Sequence, residues 1–139
     1  MNQEKDSMLM GDEASCRGRS RVDIRQRAFR YAVGAIKLGR QLQSQRDGAA
    51  WLVGKQYLRS ATSIGGNIEE AQSAESRLDF IHKMSIAQKE ARESVYWLRL
   101  MLASQFLPEA SISPLIDETD QLIAIITAII VKTKKRHPT

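Results

Sequence analysis

Hydrophobic residues recur along this chain at steps of three and four, the spacing that places side chains on one face of an α-helix. A first helix is predicted over residues 22–45, ended by Asp47-Gly48, and a second over residues 49–71. The inner face of the first consists of Ile24, Ala28, Tyr31, Ala35, Leu38 and Leu42. The inner face of the second consists of Trp51, Gly54, Leu58, Ala61, Gly65 and Ile68.

A third helix is predicted over residues 75–105, and the run from Ser76 to Asp79 fits a capping box at its start. Its inner face consists of Phe80, Met84, Ala87, Ala91, Ser94, Leu98 and Met101. Ile86, Trp97 and Leu100 form a second apolar stripe on another side of the helix. A single bundle has no use for a second stripe, so we expect it to pack against another copy of the chain.

The fourth helix is predicted over residues 114–135, with Ser113 as the N-cap and Pro114 as the first helical residue. Its apolar residues cover about half of its circumference, more than the roughly 100° stripe that a core-facing helix needs. This width also favours a homo-oligomer. The predicted interface between copies consists of Ile86, Trp97, Leu100, Ile123, Ile125 and Ile130.

Four helices and three short links predict an all-α fold, an antiparallel up-down four-helix bundle. The bundle is expected over residues 21–136, preceded by a disordered leader, residues 1–20, and followed by a tail, residues 137–139. Segments with the alternating pattern of β-strands are missing from the sequence.

The length of 139 residues indicates one domain. Cys16 is the sole cysteine, so the sequence predicts neither a disulfide framework nor a cysteine-based metal site. The N-terminal residues lack a signal peptide's apolar core, and the longest apolar stretch, Leu122 to Val131, is too short to cross a bilayer. We therefore expect a cytoplasmic protein without a membrane partner.

The net charge of +5 is unevenly distributed along the chain. Residues 1–16 carry a net charge of −3, residues 17–46 carry +8, and the remaining residues balance to zero. Basic clusters bind phosphates, so RNA or DNA is a candidate partner; simple solvation of arginine-rich helix faces explains the charge equally well. The candidate nucleic-acid contacts are Arg17, Arg19, Arg21, Arg25, Arg27, Arg30, Lys132, Lys134, Lys135 and Arg136.

Catalytic chemistry finds little support in the sequence. A di-metal bundle site needs two Glu-x-x-His units, and this chain offers one loose analogue, Asp79 to His82, with His137 as its only other histidine. Cys16 lies in the predicted leader without a base beside it. The glycines Gly65 and Gly66 lie within a helix and lack the lysine of a phosphate-binding loop. We expect no enzyme, no cofactor and no metal, and regard a metal-dependent bundle enzyme as the least favoured alternative.

Four polar residues are predicted to have structural roles: Arg59, Asn67, Glu70 and Glu90. In an antiparallel pair of helices, Arg59 passes opposite the glutamates in the middle of the third helix. We expect Arg59 to pair with one of them and to fix the register of the two helices.

Two long segments resemble a known family. Residues 58–71, LRSATSIGGNIEEA, and residues 79–99, DFIHKMSIAQKEARESVYWLR, are similar to the bacterial four-helix-bundle proteins encoded within intervening sequences of large-subunit ribosomal RNA. The similarity spans about residues 24–136. It implies a left-handed up-down bundle that assembles as a ring, typically a pentamer, without established enzymatic activity. Its relatives include accessory proteins of diversity-generating retroelements, which bind nucleic acid and a reverse transcriptase.

Two functions follow from these observations. The first is a non-catalytic oligomeric accessory protein that binds RNA or DNA through its basic surface. The second is a protein-interaction scaffold, whose partner is a reverse transcriptase or another protein and whose basic residues are incidental.

Overall fold

The computed structural model describes residues 23–136. It contains four helices, α1 (Ile24–Ser44), α2 (Gly48–Gln72), α3 (Arg77–Ala103) and α4 (Glu109–Arg136). Within these residues there is no β-strand, and the predicted all-α four-helix bundle is confirmed. The predictions made for the leader, residues 1–20, and for the tail, residues 137–139, lie outside the described residues.

Capping hydrogen bonds from side chains and from the backbone mark the ends of the first three helices. Asp47, rather than Gly48, separates α1 from α2, because its carboxylate accepts the backbone N–H groups of Ala49 (3.0 Å) and Ala50 (3.3 Å). Half of the capping box predicted for α3 is present: the Ser76 hydroxyl accepts the N–H of Asp79 at 3.0 Å, whereas the Asp79 carboxylate accepts the N–H of Glu75, at 3.2 Å, and not that of Ser76. The link after α1 has three residues and the link after α3 has five. Arg46 and Gln105 adopt the left-handed conformation there, with φ of 58° and 56°, as residues that follow helix ends commonly do.

The start of α4 differs from the prediction. The helix begins at Glu109, five residues before Pro114, and Pro114 lies inside it. Ser113 is therefore a helical residue and not the N-cap. Proline is tolerated this close to a helix N-terminus because only one intrahelical bond, the one to the Ala110 carbonyl, is lost. An N–H···O bond from Ser111 to Pro108 (2.9 Å) closes the first turn instead.

The interhelical contacts show how the chain is arranged. Along α2 and α3, Ser60 contacts Ser94 while Glu70 contacts Lys83, so the contacts run in opposite order and the two helices point in opposite directions. The same holds for α1 and α2, where Gly39 lies against Leu58 and Ala28 against Gly65. Each helix packs on its neighbours in the chain, and α1 also meets α4 along a much thinner seam.

The core follows the predicted inner faces of α1 and α3 but not that of α2. Along α1 and α3 the predicted residues are buried, except the half-buried Ile24 and Phe80 at the helix starts. On α2 the buried face is rotated. Tyr57 and Ile64 are fully buried, whereas Trp51, Leu58 and Gly65 are half-buried. The small residues of this helix carry too little hydrophobic signal to fix the direction of its inner face.

Hydroxyl groups from three helices form a chain of hydrogen bonds inside the core. The Tyr57 hydroxyl of α2 donates to the Tyr31 hydroxyl of α1 at 2.9 Å, which lies 2.6 Å from the Thr119 hydroxyl of α4. Thr119 donates to the carbonyl of Leu115 at 2.5 Å, so Tyr31 is the donor in its bond to Thr119. Burial raises the pKa of both tyrosines, which keeps their hydroxyls protonated.

At Gly39 and Gly54, leucine side chains pack directly against the backbone between α1 and α2. A Cβ atom added at Gly39 would lie 2.6 Å from Leu58 Cδ1, and one added at Gly54 would lie 2.9 Å from Leu42 Cδ1. Gly66 is different, because no atom lies within 4 Å of the position its Cβ would take. Packing against leucine side chains therefore accounts for glycine at positions 39 and 54. Gly66 has no comparable contact within this chain.

We predict that Tyr31→Phe destabilises the bundle more than Tyr57→Phe. The first change leaves the buried Tyr57 hydroxyl without an acceptor, which costs about 1–3 kcal/mol, whereas the second leaves Tyr31 bonded to Thr119 and costs about 0.5–1.5 kcal/mol. The double variant lacks the orphaned hydroxyl and should be no less stable than Tyr31→Phe alone. Denaturant unfolding at one fixed protein concentration measures all three. Equal and additive single effects would show that the hydroxyls are not coupled.

Candidate nucleic-acid interface

Three basic side chains share the outer face of α1. Arg30, Lys37 and Arg40 are exposed and fall at helical spacing. Within residues 23–136 none of them forms an ion pair, in contrast to the arginines nearer the start of the helix. Sequence analysis had selected Arg30 but not Lys37 and Arg40, whose spacing from Arg30 was the signal that would have found them.

Arg25 and Arg27, two of the predicted contacts, are engaged in holding helices together. Arg25 donates through Nε and Nη2 to both carboxylate oxygens of Glu69 on α2, at 3.1 and 3.2 Å. Arg27 donates to both oxygens of Glu118 on α4, at 2.7 and 2.9 Å, and also contacts Gln121. These bonds raise the pKa of both guanidinium groups. Their charge is locally neutralised, so they are poorer phosphate contacts than Arg30.

The remaining predicted contacts fall into two groups. Arg17, Arg19 and Arg21 lie outside the described residues. Lys132, Lys134, Lys135 and Arg136 are exposed on the last turns of α4. Positive charge is favourable there, because the unpaired carbonyls of a helix C-terminus carry partial negative charge. The basic end of α4 thus has a structural explanation as well as the proposed phosphate-binding one.

Apolar side chains accompany the basic ones on α1. Phe29, Val33 and Ile36 are 70, 39 and 41% exposed and line up at steps of four and three. At 100° per residue they share an arc of about 120° with Arg30, Lys37 and Arg40. We call these six residues the α1 face. Sequence analysis had assigned spare apolar surface to the last two helices and had missed this stripe.

The predicted interface residues of α3 and α4 are less exposed than expected. Ile130 is 7% exposed and belongs to the core of the bundle, so it has little surface left for a contact between copies. Trp97 and Ile123 are half-buried and pack against the core. Ile86, Leu100 and Ile125 are half-buried without joining the core cluster. These three are the apolar residues of the predicted set that still have surface to offer another copy.

A cleft of about 420 Å³ lies in the seam between α1 and α4. Arg27 and Glu118 are among its lining residues and neutralise each other, with Leu115 supplying apolar surface. Arg30 lines the cleft as well and extends the positive charge of the α1 face to its edge. The cleft is open to solvent, which suits an extended or flexible ligand better than an enclosed small molecule.

The predicted polar residues lie along the contact between α2 and α3. Arg59 Nη2 lies 2.8 Å from Glu93 Oε1, so the expected pair with a glutamate of the third helix is present in the structure. Glu70 accepts from Lys83 Nζ at 3.0 Å across the same contact. Asn67 instead donates to the Ser63 carbonyl one turn earlier in its own helix, at 2.9 Å. Two ion pairs therefore cross the contact, and Asn67 stays within α2.

Glu90 lies beside the Arg59–Glu93 pair in a less favourable environment. Its Oε2 atom is buried and has no hydrogen-bond partner among the described residues. Burial raises the pKa of Glu90, and the negative charge of Glu93 raises it further, while Arg59 lowers it. Glu93 has better partners, because it also accepts the indole N–H of Trp97 at 3.1 Å. The carboxylate form of Glu90 is therefore less well stabilised than that of Glu93.

The described residues contain neither a cluster of metal ligands nor a membrane-spanning helix. In the part of the chain that the structure describes, no three residues of the types histidine, cysteine, aspartate and glutamate come together as a metal site. His82, from the loose metal motif, is exposed on α3. No helix within residues 23–136 has the combined length and hydropathy that a bilayer span requires.

We predict that Glu90→Gln stabilises the protein at pH 7 and changes its stability little at pH 4. The folded-state pKa of Glu90 is raised, so its contribution to stability is complete below the unfolded-state pKa and is lost as the pH rises through the folded-state pKa. A neutral amide avoids that loss. Denaturant midpoints at the two pH values measure the effect. The matched control, Glu93→Gln, keeps an acceptor oxygen for Arg59 and Trp97 but removes the negative charge that pairs with Arg59, and should give no gain. A loss of stability for Glu90→Gln at pH 7 would contradict the assignment.

Comparisons with known proteins place these features in a family. The family model described as "23S rRNA-intervening sequence protein" matches residues 20–128. A crystal structure from Bacteroides thetaiotaomicron, described as a protein with unknown function from the S23 ribosomal protein family, is 33% identical with a TM-score of 0.72. The match covers 77% of this chain and 97% of that one. None of the curated proteins matches the chain. The match over most of its length shows that the chain belongs to the 23S rRNA-intervening sequence protein family.

Proposed function

We propose that this protein is a non-catalytic accessory protein that binds RNA or DNA through the α1 face and the basic end of α4. The observation that carries the proposal is the exposure of Arg30, Lys37 and Arg40 on one side of one helix without acidic partners in the described residues. Contacts of this kind bind phosphate without reading sequence. The ribosomal RNA setting in the family's description is compatible with such a ligand, although it names none.

Assembly into a homo-oligomer is the second part of the proposal. Ile86, Leu100 and Ile125 keep apolar surface outside the core cluster, which supports burial against other copies. We propose a left-handed up-down bundle that closes into a ring, with five copies as the expected number. A ring repeats the α1 face once per copy. Several weak phosphate contacts then act together and raise the affinity well above that of one subunit.

A specific observation also favours the alternative, a protein-interaction scaffold. Phe29, Val33 and Ile36 are apolar, and phosphate binding has no need of them. An exposed helical stripe of this kind is the surface that a partner helix covers. The partner in this alternative is a reverse transcriptase or another protein. Recovery of one stoichiometric protein from a lysate after nuclease treatment would favour it over nucleic-acid binding.

We predict that the purified chain binds structured RNA or DNA in a strongly salt-dependent manner. The variant Arg30→Ser, Lys37→Ser, Arg40→Ser should weaken binding and reduce the slope of log affinity against log salt by about 2–3, since each lost phosphate contact removes roughly 0.7–0.9 from the slope. Fluorescence anisotropy titrations at several salt concentrations between about 50 and 300 mM give both the affinity and the slope.

The matched control for this experiment is Lys89→Ser, Arg92→Ser, Arg99→Ser, which removes three exposed basic residues from α3. It changes the net charge equally and should leave most of the binding intact. Absence of binding at low salt, or binding that salt does not weaken, would overturn the nucleic-acid proposal. Equal losses in both triple variants would show that overall charge, and not the α1 face, is responsible.

We predict a single oligomer larger than a dimer in native mass spectrometry. Leu100→Ser and Ile125→Ser together should shift the population to smaller species, because each change places a hydroxyl in the proposed contact between copies. Leu78→Ser is the control, since Leu78 is exposed at the start of α3 and outside the proposed interface. A stable monomer of the unaltered chain at micromolar concentration would end the ring proposal.

A further inference from the structure

The α1 face combines two properties that rarely remain uncovered together. Phe29, Val33 and Ile36 expose apolar surface, and Arg30, Lys37 and Arg40 place positive charge along one side of it. Apolar side chains exposed to this degree at helical spacing favour a covering element. Because the apolar stripe is bordered by positive charge, the covering element should carry both apolar and acidic side chains.

The chain itself contains a segment with this chemistry. Residues 1–16 carry Glu4, Asp6, Asp12 and Glu13 against Lys5, a net charge of −3. Between the two pairs of acids lies the run Met8-Leu9-Met10. The segment therefore offers three apolar side chains flanked by negative charge, and the α1 face offers three apolar side chains flanked by positive charge.

We propose that residues 1–16 dock on the α1 face of the same chain and cover it. The acids of this segment have another basic neighbour in Arg17, Arg19 and Arg21. Residues 17–21 contain no large apolar side chain against which Met8, Leu9 and Met10 could be buried. The α1 face satisfies both parts of the segment at once, because it carries three exposed apolar side chains beside three basic ones.

The distances permit this contact. Met10 lies 13 residue steps before Asp23, where the described structure begins, and a chain of that length spans at most about 43–47 Å when fully extended. From Ile24 to Ile36 along α1 the rise is only about 18 Å. A tether of this length holds the segment near the face at an effective concentration in the millimolar range. Weak apolar and ionic contacts then suffice for docking.

Docking has a regulatory consequence that rests on the proposed function. If the α1 face binds phosphates, the acidic segment competes for the same three basic side chains and lowers the affinity for nucleic acid. A polyanion that binds through many phosphates displaces the segment, whereas a short or weakly charged one does not. Docking itself requires no nucleic acid and can be tested without it.

The test replaces Leu9 with the photoreactive residue p-benzoylphenylalanine in the full chain. After irradiation, mass spectrometry maps the cross-linked peptides. We expect cross-links concentrated between Phe29 and Arg40. The yield should fall at least about fivefold in the background of Arg30→Ser, Lys37→Ser, Arg40→Ser and in 1 M salt, where the Debye length is only about 3 Å. The α3 triple variant defined above is the matched control and should keep the yield.

An equimolar mixture with isotopically heavy chains that lack the photoreactive residue identifies the docking partner. Cross-links confined to light chains support docking within the chain, and cross-links from light to heavy chains overturn it in favour of a neighbouring copy. Cross-links scattered over all four helices, or a yield that the α1 substitutions leave unchanged, also overturn it. Mapped cross-links on the α1 face of a protein that binds no nucleic acid would support docking while removing the proposed function.

Discussion

The hydroxyl group of Tyr31 is the point on which the position of α1 depends. It bonds to Tyr57 on one neighbouring helix and to Thr119 on the other, and all three residues are buried. On the α2 side, Gly39 and Gly54 allow close packing that adds to this bond. On the α4 side the seam is thin, and the bidentate pair of Arg27 with Glu118 is its other main connection. The orientation of every outward residue of α1 follows from these contacts.

Much of the fold was predictable because it depends on local signals. The apolar periodicity of α1 and α3 is carried by large side chains such as Leu38, Leu42, Met84 and Leu98, and their burial followed. The N-cap at Ser76 was predictable because its signal is also local, a serine followed three residues later by an acidic residue. On α2 the pattern is made largely of glycine and alanine, so the sequence could not distinguish the face containing Tyr57 from the adjacent one. Pro114 was misleading because proline is favoured at the first helical position, whereas here it lies in the second turn at the loss of one intrahelical bond.

The candidate site was less predictable, since it depends on which charges find partners. Arg25 and Arg30 are equivalent in the sequence, yet one is paired with Glu69, 44 residues away, and the other is not. No feature of the sequence around Arg25 indicates that such a pair will form. The exposed stripe of Phe29, Val33 and Ile36 escaped notice for a related reason. Its residues alternate with inner-face residues on a helix that is apolar on two sides, and only the packed structure shows which side the core takes.

The even number of helices has a practical consequence. The contacts of Arg25 with Glu69, of Glu70 with Lys83 and of Gln88 with Thr127 place the start of α1 and the later turns of α4 toward one end of the bundle. Asp23 and Arg136, the first and last described residues, therefore lie at that same end. The links around Arg46 and Gln105 lie at the opposite end. A label introduced in either of those links would be separated from both Asp23 and Arg136 by the length of the bundle.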